Sequence, residues 1–224
     1  MPWTSEHTKW LVDTGERLKT ADGKEVEVWE FRHEKDEAVL SAWAKHFRNH
    51  YCLDAEIDFL RGKRPRTDYL TNIKFPCKTS KLGPGIRAGD FGEILVSDYL
   101  QWLLGYWVPR VRWSSKVVRD ESPKGSDVIG FRFHKKDGDA STKDVLFVFE
   151  SKTKFSASKI NRLQDAINDS ANQTPAVLAG VLFVSSCMCL ELTANTRGVT
   201  QSPEQAHQHE GTVTAHTERW VTAD

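Results

Sequence analysis

No stretch of this sequence stays apolar long enough to cross a bilayer: the longest run, Ala176 to Val184, falls well short of the ~20 residues a spanning helix needs. A basic segment leading into an apolar core is also missing at the start, so no secretory signal is expected. The four cysteines, Cys52, Cys77, Cys187 and Cys189, lack a disulfide-framework spacing, which points to a reducing, cytoplasmic setting. Neither sign of charge is in excess, with 31 lysines and arginines against 31 acidic residues. The glycines from Gly83 to Gly89 are not followed by Gly-Lys-Ser/Thr, and no Gly-x-Ser-x-Gly occurs, so neither a P-loop nor a nucleophile elbow is present. What is there suits a soluble globular chain: 224 residues, 39% apolar and 28% charged, with mean hydropathy −0.52. That length supports one sizeable core, or a catalytic lobe with a smaller one attached.

The charge is unevenly spread, since all but two of the lysines and arginines lie before Gln173. Two segments are locally basic. Arg61 to Arg87 holds eight cations against the single acid Asp68, and Arg110 to Lys136 holds eight against Asp120, Glu121 and Asp127. Clusters of this kind neutralise phosphates, and Arg61, Lys63, Arg64, Arg66, Arg87 and Lys124 are the candidate DNA contacts. A solvated surface is the plainer explanation.

Periodicity divides the chain into three segments. Residues 1–85 read as a small α+β lobe, with a strand over Glu25 to Arg32, a helix over Asp36 to Tyr51 and a short helix near Leu53 to Arg61. Lys78 to Gly89, rich in glycine and basic residues, reads as the linker into residues 86–172. There a helix is expected over Phe91 to Leu104, with Asp90, Glu93, Ser97 and Gln101 on one polar stripe. Trp107 to Trp113 suits an edge strand at most, because Pro109 cannot donate to a ladder. Asp127 to His134 and Val145 to Lys152 are expected to pair as a hairpin, with a helix over Ala157 to Asn168 after them. The third segment, 173–224, turns Ser-, Thr-, His- and Gln-rich and has no clear period.

A hairpin folded about Asp139 sets Asp127 opposite Ser151, within about a residue, beside Glu150 and Lys152 on one strand face. Two carboxylates at the ends of adjacent strands make a hard oxygen site suited to Mg²⁺ or Mn²⁺. A lysine beside them can orient an attacking water or stabilise developing charge on a phosphorus centre. The strand Val145 to Glu150 is apolar on both faces, and charges buried at its end cost several kcal/mol (order of magnitude) unless paired or metal-bound. A structural Glu150–Lys152 pair would satisfy that too, and Gly125-Ser126-Asp127 could be turn chemistry. Glu93 is the fourth candidate, although Asp90-Phe-Gly-Glu93 also fits a capping box with Asp90 as N-cap. His46 and His50 share a helical face and suit packing better than a metal. Cys187-x-Cys189 with His207-x-His209 is poorly spaced for zinc.

Glu93 on a helix, Asp127 opening a strand and Glu150-Ser-Lys152 ending the next resemble the PD-(D/E)XK nuclease pattern. The Gly-Asp-Phe-Gly-Glu, Gly-Ser-Asp and Phe-Glu-Ser-Lys segments resemble, more narrowly, the HamA family, small subunits of the Hachiman anti-phage defence system, over roughly Asp68 to Ser170. The resemblance implies an α/β fold of restriction-endonuclease type, with a mixed central sheet flanked by helices. It implies a DNA nuclease working with a superfamily-two helicase partner and no membrane. Asp127 and Glu150 would be metal ligands, Lys152 the catalytic lysine, and Glu93 a supporting carboxylate. The chain departs from the pattern after Gln173, where a truncated or frameshifted terminus, and hence an inactive polypeptide, is the expectation beside a divergent genuine one. The rival reading is a catalytically silent nucleic-acid-binding or scaffold module.

Overall fold

Strand β4 (Val145–Thr153), whose Phe147, Val148, Phe149 and Glu150 are all buried, runs inside a six-stranded sheet. The computed structural model describes residues 3–19, 25–135 and 139–154, positions 162 and 165, and the backbone of 178–184 and 189–195. With β1 (Leu11–Lys19), β2 (Glu25–Phe31), β3 (Val128–Arg132), β5 (Leu178–Val184) and β6 (Cys189–Asn195), the sheet order is β1-β2-β6-β5-β4-β3. Among the described strands only the β4–β5 pair is parallel. A parallel neighbour requires a crossover between the two strands, which is why 24 residues separate Thr153 from Leu178. This is a mixed α/β fold.

The expected hairpin forms, with Val128 opposite Phe149 and Arg132 opposite Val145. Its register differs by one residue from a fold about Asp139: continued one pair outward, it sets Asp127 across from Glu150 rather than Ser151. Strand β1 was not anticipated. Its Val-Asp-Thr-Gly-Glu-Arg lacks alternation because a bulge falls between Asp13 and Arg17, where Gly15 takes φ +76°. The two strands after Gln173 were not anticipated either, and β6 joins β2 to β5. The sheet therefore runs through all three expected segments, 1–85, 86–172 and 173–224, rather than dividing at their boundaries. The helix expected over Ala157 to Asn168 lies largely outside the described residues, as do Cys187, His207 and His209.

Helix α1 (Glu37–Tyr51) begins where Asp36 accepts hydrogen bonds from the Ala38 and Val39 amides, both at 3.1 Å. Two single-turn helices follow, α2 (Ile57–Leu60) and α3 (Arg66–Tyr69). Helix α4 (Gly83–Asp98) corrects the linker reading of Lys78 to Gly89. Pro84 lies in its first turn, where a missing N–H costs nothing, and Ser80 Oγ accepts from the Gly83 amide at 3.0 Å. A glycine-rich composition thus hid a good helix start. Tyr99–Leu103 continues as a π-helical turn, and Gly105 at φ +70° ends the run as expected. The edge strand sought over Trp107 to Trp113 shrinks to one bridge, Trp107 with Phe131, because Pro109 follows at once.

One apolar core joins the N-terminal elements to the hairpin. Trp10, Leu11, Phe31 and Val39 pack with Leu95, Tyr99 and Leu100 of the long helix and its extension, and with Phe147 and Phe149 of β4. Among the described residues no helix is long and apolar enough to cross a membrane.

Candidate active site

Helix α4 crosses β4 closely, and Gly92 is the reason. A Cβ there would lie 2.0 Å from Thr153 Oγ1 and 3.1 Å from Ser151 Oγ. That approach brings Glu93, the next residue, over the end of the hairpin. The capping reading of Asp90 and Glu93 is overturned, since both lie well inside α4. Asp90 is instead buried and held by Lys116 Nζ at 2.5 and 2.6 Å and by the Tyr51 hydroxyl at 2.6 Å.

Four of the residues singled out in the sequence meet here. Asp127 Oδ2 accepts from the Ser151 amide at 2.9 Å, which fixes it beside the end of β4. Glu150 Oε1 accepts from Lys152 Nζ at 2.7 Å. Both residues project from one strand face, as period two requires. Glu93 completes the group from α4.

Arg112 was missed, having been read only as one cation of a basic stretch. Its guanidinium donates to Glu93 Oε2 at 3.0 Å and reaches Asp127 Oδ1 at 3.5 Å. It also donates to the carbonyls of Ser126 at 3.0 Å and Pro123 at 2.9 Å, tying the loop before β3 to α4. The available signal was Val108-Pro-Arg-Val-Arg-Trp113, where two arginines interrupt an apolar run.

The electrostatics fit a cation site. Burial raises Asp127 to about 6, and the Glu150 charge adds to that against the opposing Ser151 amide, Arg112 and Lys152. Burial also pushes Glu93 up to about 8, with Asp127 contributing and Arg112 opposing. Carboxylates held together at that cost with little exposure to solvent suit a divalent ion, and Asp127 and Glu150 supply the hard oxygens it needs.

A second buried polar cluster lies under the N-terminus. Asp98 accepts from His7 Nε2 at 2.8 Å and His46 Nε2 at 3.0 Å and pairs with Arg110 at 2.7 Å. Burial pushes the Asp98 carboxyl up, but the two histidine hydrogen bonds and the Arg110 charge outweigh it and hold it below the usual range. Atoms of His7, His46 and Asp98 lie close enough for a metal. Their partners argue otherwise. His46 Nδ1 faces the Thr4 amide at 3.4 Å, so its proton sits on Nε2, aimed at Asp98. His50 Nδ1 donates to the His46 carbonyl at 2.9 Å and its Nε2 accepts from Arg110 at 2.8 Å. Asp98 and Arg110 thus pair beside His46 and His50, which burial holds toward the neutral form, and the packing reading of His46 and His50 fits this arrangement.

Of the candidate DNA contacts, Lys124 lies in the loop before β3 whose Pro123 and Ser126 carbonyls Arg112 holds, and the other five come from α2 through the first turns of α4. Arg61 and Arg66 converge on Asp58, an acid just outside the stretch counted as basic, with Arg61 Nε 2.8 Å from it. Lys63, Arg64 and Lys124 are exposed, and Arg87 is half-buried beside Tyr51 and Phe91 in a cavity of about 960 Å³.

The search of curated proteins and the search of solved structures each return no match. The family model HamA matches residues 6–178, from the first turn of the N-terminal segment to the start of β5, and includes Glu93, Arg112, Asp127, Glu150 and Lys152. That match spans well over half of the 224 residues. The chain belongs to the HamA family.

Proposed function

We propose that this chain is a metal-dependent deoxyribonuclease of PD-(D/E)XK type, acting in the cytoplasm with a superfamily-two helicase partner in Hachiman anti-phage defence. The observation that carries the proposal is the convergence of Asp127, Glu150 and Lys152 at one end of the β3–β4 hairpin, with Glu93 facing them from α4. The order of α4, an antiparallel pair and a parallel neighbour supports a restriction-endonuclease-like core.

Asp127 and Glu150 would hold Mg²⁺ or Mn²⁺, which when bound supplies Lewis acidity toward a phosphodiester oxygen and acidifies a water. The remaining work falls to the chain. The Ser151 amide fixes one Asp127 oxygen, so the carboxylate is oriented by backbone rather than by a mobile side chain. Lys152, held beside Glu150, presents a positive charge where negative charge develops on the scissile phosphate. Glu93 anchors Arg112, which in turn holds the loop carrying Asp127.

The rival reading, a silent nucleic-acid-binding module, draws on the same Lys152–Glu150 contact, since a paired lysine needs no metal to account for it. Purified full-length chain incubated with DNA and Mg²⁺ or Mn²⁺ separates the two. Cleavage is expected, and Lys152→Met should lower it by at least about 10²-fold while the fold persists. DNA shifted but never cut, under any divalent ion, would leave the silent module standing.

A further inference from the structure

Arg112 is surrounded by oxygen. Its guanidinium lies 3.0 Å from Glu93 Oε2, 3.5 Å from Asp127 Oδ1, 3.0 Å from the Ser126 carbonyl, 2.9 Å from the Pro123 carbonyl and 3.4 Å from Ser122 Oγ. Two carboxylates, two carbonyls and a hydroxyl ranged about one guanidinium are oxygen donors of the kinds a hard cation takes. The side chain is 14% exposed, so it is embedded there rather than laid across the surface. A planar fork fits such a set better than a lysine ammonium, because several N–H vectors are fixed at once.

We infer that Arg112 stands where a second divalent ion would sit, so that the centre formed by Asp127 and Glu150 takes one ion and Glu93 ligates none. This rests on the proposed metal-dependent nuclease reading. Glu93 is engaged through Oε2 by Arg112, while Asp127 divides its oxygens, with Oδ1 toward Arg112 and Oδ2 toward the Ser151 amide. Glu150 is engaged by Lys152. A permanent cation between Glu93 and Asp127 repels a metal at that position and leaves the neighbouring Asp127 and Glu150 carboxylates to the exchangeable ion. Arg112 is in this sense a positioning residue, fixing both the number of ions and the orientation of the loop ahead of β3.

The test is a Mn²⁺ titration of the full-length chain, followed by calorimetry and electron paramagnetic resonance. The parent should bind one Mn²⁺ without spin coupling, and Arg112→Lys, which keeps the charge, should do the same. Arg112→Gln should bind two, with the exchange-coupled signal of a Mn²⁺ pair. Arg112→Gln combined with Glu93→Gln should return to one, because the second ion would need the Glu93 carboxylate. A merely structural arginine would change stability in these variants but not the number of ions. Two ions in the parent, or one uncoupled ion in a folded Arg112→Gln protein, would overturn the inference while leaving the metal centre intact. If Arg112→Gln does not fold, the parent's stoichiometry and the double variant decide it, since a coupled pair in either is fatal. No ion in the parent, or one retained by Asp127→Ala, would overturn the nuclease centre together with the inference.

Discussion

Glu93 is 5% exposed, lies beside Asp127, and is raised by burial from 4.5 to about 8. Because its folded value lies above its unfolded one, the stability it contributes is fully present below pH 4.5 and is lost as pH rises through about 8. Asp127 acts in the same sense between its ordinary 3.8 and about 6. His46 and His50, which burial lowers, work in the opposite sense and lose their contribution as pH falls below 6.5. A difference between parent and variant isolates one group from the other. Glu93→Gln, in chelator, should therefore melt near the parent at pH 5 and above it at pH 8, by on the order of a few kcal/mol. Parallel melting curves for the two proteins across that range would mean that Glu93 is already ionised and well compensated by Arg112.

At the scale of elements, the site depends on how closely α4 and β4 approach. Alanine favours a helix over glycine by about 1 kcal/mol, so Gly92→Ala would stabilise an isolated helix. Here the added methyl meets Thr153 Oγ1 at 2.0 Å, and Thr153, being β-branched, has little room to turn away. A net loss of about 1–3 kcal/mol is expected, the range for overpacking, with weaker metal-dependent cleavage as Glu93 shifts. Thr153→Ala in the same chain should restore most of the loss, which a double-mutant cycle in urea measures. Strict additivity would show that the contact is not what limits the helix. The hairpin was legible from its apolar strands, and α1 from its period, while the Asp36 cap emerged only in the structure. The first turns of α4 were not, because Gly83-Pro-Gly85 has the composition of a loop and a cap supplied by Ser80.

Across the whole molecule, the distribution of charge matters more than its zero sum. The basic stretch after Arg61 looked dense because it was counted without Asp58, to which Arg61 and Arg66 both turn. Lys63 and Arg64 are exposed and are better placed to meet phosphate. Replacing both with serine should flatten the logarithmic salt dependence of DNA affinity by up to about 2, at roughly 0.9 for each phosphate no longer neutralised. Arg61→Ser with Arg66→Ser should change it less. Equal slopes for all three proteins in a salt titration would make this stretch a solvated surface. The N-terminal residues also prove to be part of the main core, since Trp10, Phe31 and Val39 pack against Leu95 and Tyr99.

The sequence by itself determined the local patterns: the two apolar strands, the helix carrying Glu93, and the order of Glu93, Asp127, Glu150 and Lys152. Period two places Glu150 and Lys152 on one face whatever surrounds them, and a hairpin brings the residue before its first strand near the end of its second. Only the tertiary structure decided what faces that cluster. Arg112 lies 15 residues before Asp127 and 19 after Glu93, in a segment with no period, and its role exists only because the loop folds back onto α4. Asp98 likewise gains its meaning from His7 and His46, 91 and 52 residues away. The sheet order was equally hidden, because β2 reaches β4 only through β6 and β5, later in the chain than both. Alternation and capping act over a few residues and leave a trace in their immediate neighbours. Charge compensation and strand adjacency act through space, and carry no signature in the spacing of the chain.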